Sequence, residues 1–332
     1  MHDILRLTMD RTAPAPSPKP RAFFAGALLV WTRQRILWWI FGVNLILAFL
    51  GTHSVAHFLA DDAGVSLNHS LESSRRLVHG FDVSAFAELG SLPEAPLRGM
   101  SAMLLMPSFL FTLFMLFMTG GLLVSYQDDL PLDSGGFFEA CGRHFWRFVR
   151  LLIYFAIAMI PVGILWSIAG KIYSDIDDVA ISPYAGPGFM CVATVAILFL
   201  LMCVRLWFDM AQVMAVAKDE RRMHRVLKRS AALVWNNFGP LFWLYLRISV
   251  IGCVLFGAGL YVWMMKLRPE ATRVAFALGQ VMILLWLGTR LWQRASEVEW
   301  YKQYRAAQYA PVPMPPPPVP APAVEVEVLP SN

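Results

Sequence analysis

Four uncharged apolar runs, each long enough to cross a bilayer, constrain this chain more than any other feature. A hydrocarbon core about 30 Å thick needs about 20 helical residues. Residues 36–60, 99–127, 151–170 and 179–204 contain no Asp, Glu, Lys or Arg. Two further spans, about 239–265 and 274–292, carry one charge each, Arg247 and Arg290. In lipid the backbone must satisfy its own hydrogen bonds, so runs of this length read as helices. The composition agrees. The chain is 57% hydrophobic and only 15% charged, with mean hydropathy +0.53, whereas soluble domains are about 25% charged. A water-soluble enzyme and a disordered chain are both excluded as defaults. The sequence predicts an all-α membrane protein with six transmembrane helices.

The few charges then set the orientation. Basic residues concentrate in cytoplasmic segments. Six precede the first span, Arg143, Arg147 and Arg150 lie between the second and third, seven lie from Arg205 to Arg229, and Arg290, Arg294, Lys302 and Arg305 close the sixth. These twenty stand against seven on the other side: Arg75, Arg76, Arg98, Lys171, Lys266, Arg268 and Arg273. The expectation is a plasma-membrane protein with both termini in the cytoplasm. Three regions follow: a disordered N-terminal segment 1–21, a membrane domain 22–308 with an extracytoplasmic loop 52–99, and a tail 309–332. Nine prolines in that tail favour an extended, solvated chain.

A threefold pattern emerges when Trp31, Trp146 and Trp235 are superposed. The segments read FFAGALLVWTRQRILWWIF, FFEACGRHFWRFVRLLIYF and KRSAALVWNNFGPLFWLYL, and each precedes an odd-numbered span. The implied unit is an interfacial helix followed by a spanning hairpin, repeated three times. Arg143, Arg147 and Arg150 recur at helical spacing in the second segment. Arg222, Arg225 and Arg229 do so before the third, opposite Met223, Val226, Leu227 and Leu233. Such helices are expected to meet anionic lipid headgroups while their apolar stripes sink into the interface.

Ionisable groups at membrane depth are functional suspects because burying them unpaired is costly. Arg247 lies about 12 Å into the fifth span at 1.5 Å per residue. Asp209, at the end of the fourth span, is its expected partner, alone or shared with Arg205 at i−4, and snorkelling of Arg247 to the near surface is the alternative. Asn44 and Gln280 are expected to add hydrogen bonds from the first and sixth spans. Such a cluster serves either as glue between helices or as part of a transport path. Pro107, Gly120, Gly121 and Pro161 suggest places where helices bend or break. In the outer loop, His53 and His57 at i, i+4 with Asp61 form a candidate metal face, although HxxxH lacks the glutamate of HExxH. Cys141, Cys191, Cys203 and Cys253 are too dispersed for a disulfide framework or a CxxC metal site. No P-loop, GxSxG or HExxH is present, and dispersed basic residues at membrane flanks do not form a nucleic-acid surface.

HSLESSRRLVHGFDVSAFAEL, GGFFEACGRHFWRFVRL and WFDMAQVMAVAKDERRMHRVLKRSAALVWNNFGPLFWLYL together resemble a group of bacterial six-span membrane proteins. The last is also similar to the membrane domain attached to some glycerophosphodiester phosphodiesterases. The resemblance covers about residues 23–305 and implies the fold. No segment of these 332 residues reads as the catalytic barrel of those enzymes, so the resemblance transfers no catalytic residue, metal or cofactor. The functional expectation is a non-enzymatic inner-membrane scaffold or accessory subunit that organises lipids or a protein partner in the membrane. The alternative is a transporter or lipid-handling permease acting around Asp209 and Arg247.

Overall fold

The computed structural model describes residues 21–66, 97–128, 132–179, 184–266 and 272–308. They form eight helices: α1 (Arg21–Thr32), α2 (Gln34–Ser66), α3 (Leu97–Gln127), α4 (Ser134–Val179), α5 (Ala185–Ala217), α6 (Met223–Asn236), α7 (Phe238–Lys266) and α8 (Thr272–Gln308). Six of them, α2, α3, α4, α5, α7 and α8, are long and apolar enough to cross a membrane. The chain is an all-α, multi-pass membrane protein. Pro107 and Pro161 lie inside α3 and α4 without ending either helix. The prolines break nothing here. The two tails and most of the loop 52–99 lie outside the described residues, although α2 carries the helix on to Ser66.

Two short surface helices are separated from their spans by a single residue. Arg33 divides α1 from α2, and Asn237 divides α6 from α7, where its side-chain amide donates to the Leu233 carbonyl at 3.0 Å. In the second unit the surface segment and the span are one helix. Asp133 caps it by accepting the Gly136 amide at 3.1 Å. At 46 residues α4 is about 69 Å long, so its first turns run beyond the 30 Å of a bilayer core. The threefold unit is present, but in the middle copy it is fused rather than jointed.

The three units close into a ring. Each surface segment packs on the second span of the preceding unit: α4 on α3, α6 on α5, and α1 on α8. The second spans α3, α5 and α8 also touch one another pairwise, forming an inner triangle, with α2, α4 and α7 outside it. Equivalent contacts fix the register. Trp207 Nε1 donates to the Leu227 carbonyl at 3.0 Å, and Trp292 Nε1 donates to the Phe23 carbonyl at 2.8 Å. In the middle unit Phe117 stacks on Phe138, ring centroids 6.4 Å apart. Phe23, Phe138 and Leu227 each lie eight residues before the repeated tryptophan. The positions matched on the inner helices are therefore Phe117, Trp207 and Trp292.

That register explains the close packing. Small residues Gly26, Cys141 and Ser230 precede the repeated tryptophans by five, and all three are buried. Opposite them on the inner helices stand Ser296, Gly121 and Ala211. A Cβ on Gly121 would meet Cys141 Sγ at 2.6 Å and the Phe137 carbonyl at 2.7 Å, and one on Gly26 would meet the Ser296 backbone nitrogen at 2.7 Å. Helix backbones approach this closely only where side chains are nearly absent. Matched apolar layers fill the triangle: Leu116, Leu206 and Leu291 on one level, Leu123, Val213 and Val298 on another, all buried.

The apolar stripes of the surface helices correct one expectation. Met223, Val226, Leu227 and Leu233 are buried in the main core, as are Cys141 and Phe148. They cover α5 and α3 instead of sinking into lipid, because the inner helices offer a matching apolar face at the same level. The residues that face outward are the repeated tryptophans, 73%, 70% and 84% exposed at positions 31, 146 and 235. Their amphipathic rings suit the membrane–water interface. Toward the opposite end the packing thins, and a small separate core of Val162, Ala169 and Ile197 holds α4 to α5.

Candidate functional site

The inner triangle carries a buried ionic cluster at the arginine-rich end. Asp209 on α5 is 6% exposed at its side chain; Arg294 Nη2 meets its Oδ1 at 2.9 Å, and Arg205 Nε lies 3.6 Å from its Oδ2. Arg294 also donates through Nη1 to Gln212 Oε1. Glu297 is buried one turn beyond Arg294, and neither of its carboxylate oxygens has a hydrogen-bond partner among the described residues. Tyr245, buried on α7, lies within electrostatic reach of Asp209, Arg205, Arg294 and Glu297. By the repeat register, Asp209 and Arg294 occupy the same position, which is Thr119 in the first unit. Gln212 and Glu297 also match, with Leu122 as the third. The cluster thus places complementary charges at matched positions of the second and third units, where the first unit has Thr119 and Leu122.

Arg247 does not join it, which overturns the expected Asp209–Arg247 pair. Gly252 sits against Thr289 and Gly259 against Met282 across α7 and α8, so antiparallel packing places Arg247 at the level of Arg294. Its height is right and its face is wrong. The buried face of α7 runs through Leu241, Tyr245, Ile248 and Gly252, and Arg247 is exposed away from it, its guanidinium 4.9 Å from the Trp243 ring centroid. Arg290 does the same over Trp286 at 4.7 Å. Each is a cation–π pair between residues one turn apart on its own helix, Arg247 exposed and Arg290 half-buried. Asn44 makes no hydrogen bond among the described residues, and the buried Gln280 Oε1 has no partner there. Neither reaches the cluster.

Arg294, Gln212, Glu297 and Tyr245 escaped the sequence reading. Arg294 counted only as a flanking charge. The available signal was the spacing Asp209–Gln212 and Arg294–Glu297, three residues each, at matched distances after Trp207 and Trp292.

The basic surface residues divide into two groups. Arg143 pairs with Glu139 at 2.5 Å, Arg147 with Asp219 at 2.5 Å, and Arg229 with Glu220 at 3.3 Å. Arg150, Arg222 and Arg225 are exposed, and their side chains have no ion-pair or hydrogen-bond partner among the described residues. Arg147 clasps α4 to the turn after α5, where Asp219 adopts φ 46°, a left-handed conformation that Asp tolerates better than most residues. The hydrogen bond from Arg147 holds the Asp219 carboxyl below its ordinary range. Further clasps gather the same end of the bundle. Arg33 donates to Ser125 Oγ at 2.8 Å and the Asp128 carbonyl at 2.7 Å, and Gln127 donates to the Val213 carbonyl at 3.2 Å.

The side chains of His53, His57 and Asp61 lie outside the described residues, and among those described no group of three potential ligands gathers for a metal. The four cysteines are free. Searches of protein-family models, curated proteins and solved structures returned no match to this chain.

Proposed function

We propose that this protein is a non-enzymatic scaffold of a bacterial inner membrane, with both termini in the cytoplasm and its basic face engaging anionic lipid and a protein partner. The observation that carries it is the allocation of charge. Buried Asp209 is engaged by the partly buried Arg205 and Arg294 beside buried layers of Leu116, Leu206, Leu291 and Leu123, Val213, Val298. The arginines left without partners lie instead on the surface segments. A photocrosslinker at Arg225, used in cells, tests this. The scaffold reading expects a discrete membrane partner whose capture survives the double change Asp209→Leu with Arg294→Leu. A reporter behind Asn332 should be active only in the cytoplasm. Periplasmic activity would reverse the assignment of the basic face.

One observation favours the transporter reading as a second. Glu297 is a buried carboxyl with no hydrogen-bond partner among the described residues, set beside the ionic cluster. In a carrier, Asp209, Arg294 and Glu297 would form the polar site in place of Asp209 and Arg247. That reading expects Glu297→Gln to abolish a cellular phenotype without lowering the amount of folded protein.

A further inference from the structure

We propose that the space between α4 and the start of α6 is a binding site for the phosphate of an anionic phospholipid. The reading rests on the proposed lipid-engaging role of the basic face and gives it a location. An open pocket of about 410 Å³ is lined by Arg150, Arg221, Arg222 and His224 together with Ile153, Tyr154 and Met223. All three arginines are exposed, and none of their side chains has an ion-pair or hydrogen-bond partner among the described residues. The acids next to Arg221 in sequence are paired elsewhere. Asp219 is taken by Arg147 and Glu220 by Arg229, so Arg221 acts on Asp219 only through space. Three arginines in one pocket whose lining includes no Asp or Glu suit a phosphate, which accepts bidentate hydrogen bonds from arginine.

The position distinguishes a lipid from a soluble phosphate. Residues 151–170, the uncharged run of α4, are bounded by Arg150 and Lys171. That run of 20 residues spans about 30 Å at 1.5 Å per residue, the thickness of the hydrocarbon core. Arg150 therefore stands at headgroup level, and Ile153 and Tyr154, both exposed, continue from it toward the acyl region. Trp146, one turn on the other side, is 70% exposed and suits the same interface. A ligand with a phosphate at one end and a hydrocarbon chain below it matches that order of side chains. The amino terminus of α6, which has no side-chain cap, opens here as well and adds partial positive charge.

The test is native mass spectrometry of the full chain released from mild detergent with phosphatidylglycerol, phosphatidylcholine or inorganic phosphate added. Wild type should retain phosphatidylglycerol at least tenfold more tightly than phosphatidylcholine. The triple change Arg150→Gln, Arg221→Gln and Arg222→Gln should remove that preference. Arg225→Gln, which alters a basic residue outside the cavity, should leave it within about twofold. Thermal unfolding without added lipid should be unchanged in all variants, because these arginines hold nothing within the fold. Phosphatidylglycerol retention by the triple variant equal to wild type would overturn the site while leaving a general anionic preference intact. No preference in wild type would overturn both the site and the lipid-engaging role. Binding of inorganic phosphate that competes fully with the lipid would overturn the lipid assignment.

Discussion

Replacing Asp209 by Leu should be among the most damaging single changes in the bundle, and replacing Arg294 as well should reverse most of the damage. Asp209 is 6% exposed at its side chain and forms an ion pair with Arg294, itself 19% exposed, at 2.9 Å. Removing the carboxylate alone leaves Arg294 largely desolvated with only Gln212 to accept from it, while Arg205, 36% exposed, can turn toward water. Breaking one side of a buried pair typically costs about 3–5 kcal/mol, and replacing both partners by apolar residues is often near neutral. The residual exposure of Arg294 places the single change at the lower end, about 3 kcal/mol. Asp209→Leu with Arg294→Leu should then lie within about 1 kcal/mol of wild type, a coupling of about 2 kcal/mol or more. Denaturant unfolding of the purified protein in mixed micelles, followed by tryptophan fluorescence, measures the cycle. Arg247→Leu serves as the control, because that side chain is exposed on the outer surface over Trp243. Its effect should stay within about 1 kcal/mol and add to that of Asp209→Leu. Additive behaviour of Asp209 with Arg294, or coupling of Asp209 with Arg247, would refute the assignment.

Three further outcomes follow from the packing and the clasps. Gly121→Ala pushes a methyl toward Cys141 Sγ and the Phe137 carbonyl and should cost about 1–3 kcal/mol in the same unfolding assay. Gly142→Ala, with nothing within 4 Å of the added carbon, should instead stabilise by up to about 1 kcal/mol. Trp207→Phe and Trp292→Phe each delete an indole donor to a surface-segment carbonyl. Each should cost about 1 kcal/mol and speed amide hydrogen exchange in α6 and α1 respectively. For Asp219, whose carboxyl is held low by Arg147, the clasp contributes stability above the ordinary carboxylate pKa and loses it as pH falls through the lowered one. An acid unfolding titration should therefore lose its Asp219 contribution in Asp219→Asn or Arg147→Gln, with the difference from wild type shrinking at the acid end.

The sequence by itself determined that this chain crosses a membrane six times, because uncharged runs of 20 or more residues have no other stable home, and that its basic residues gather at one end. It also displayed the threefold unit, since Trp31, Trp146 and Trp235 mark the same place in each copy, exposed in all three. The tertiary structure decided which face of each helix points inward. Asp209 and Arg247 stand at the same depth, and composition cannot separate them. One turns toward the inner triangle and the other toward lipid, because α7 packs through Leu241, Tyr245, Ile248 and Gly252. The true partner, Arg294, lies 85 residues further along the chain than Asp209, and the two meet only when the third unit closes against the second. A nearly uniformly apolar helix gives no periodic signal of its buried side, so its facing is fixed by small residues such as Gly121, whose contacts exist only after the helices have met.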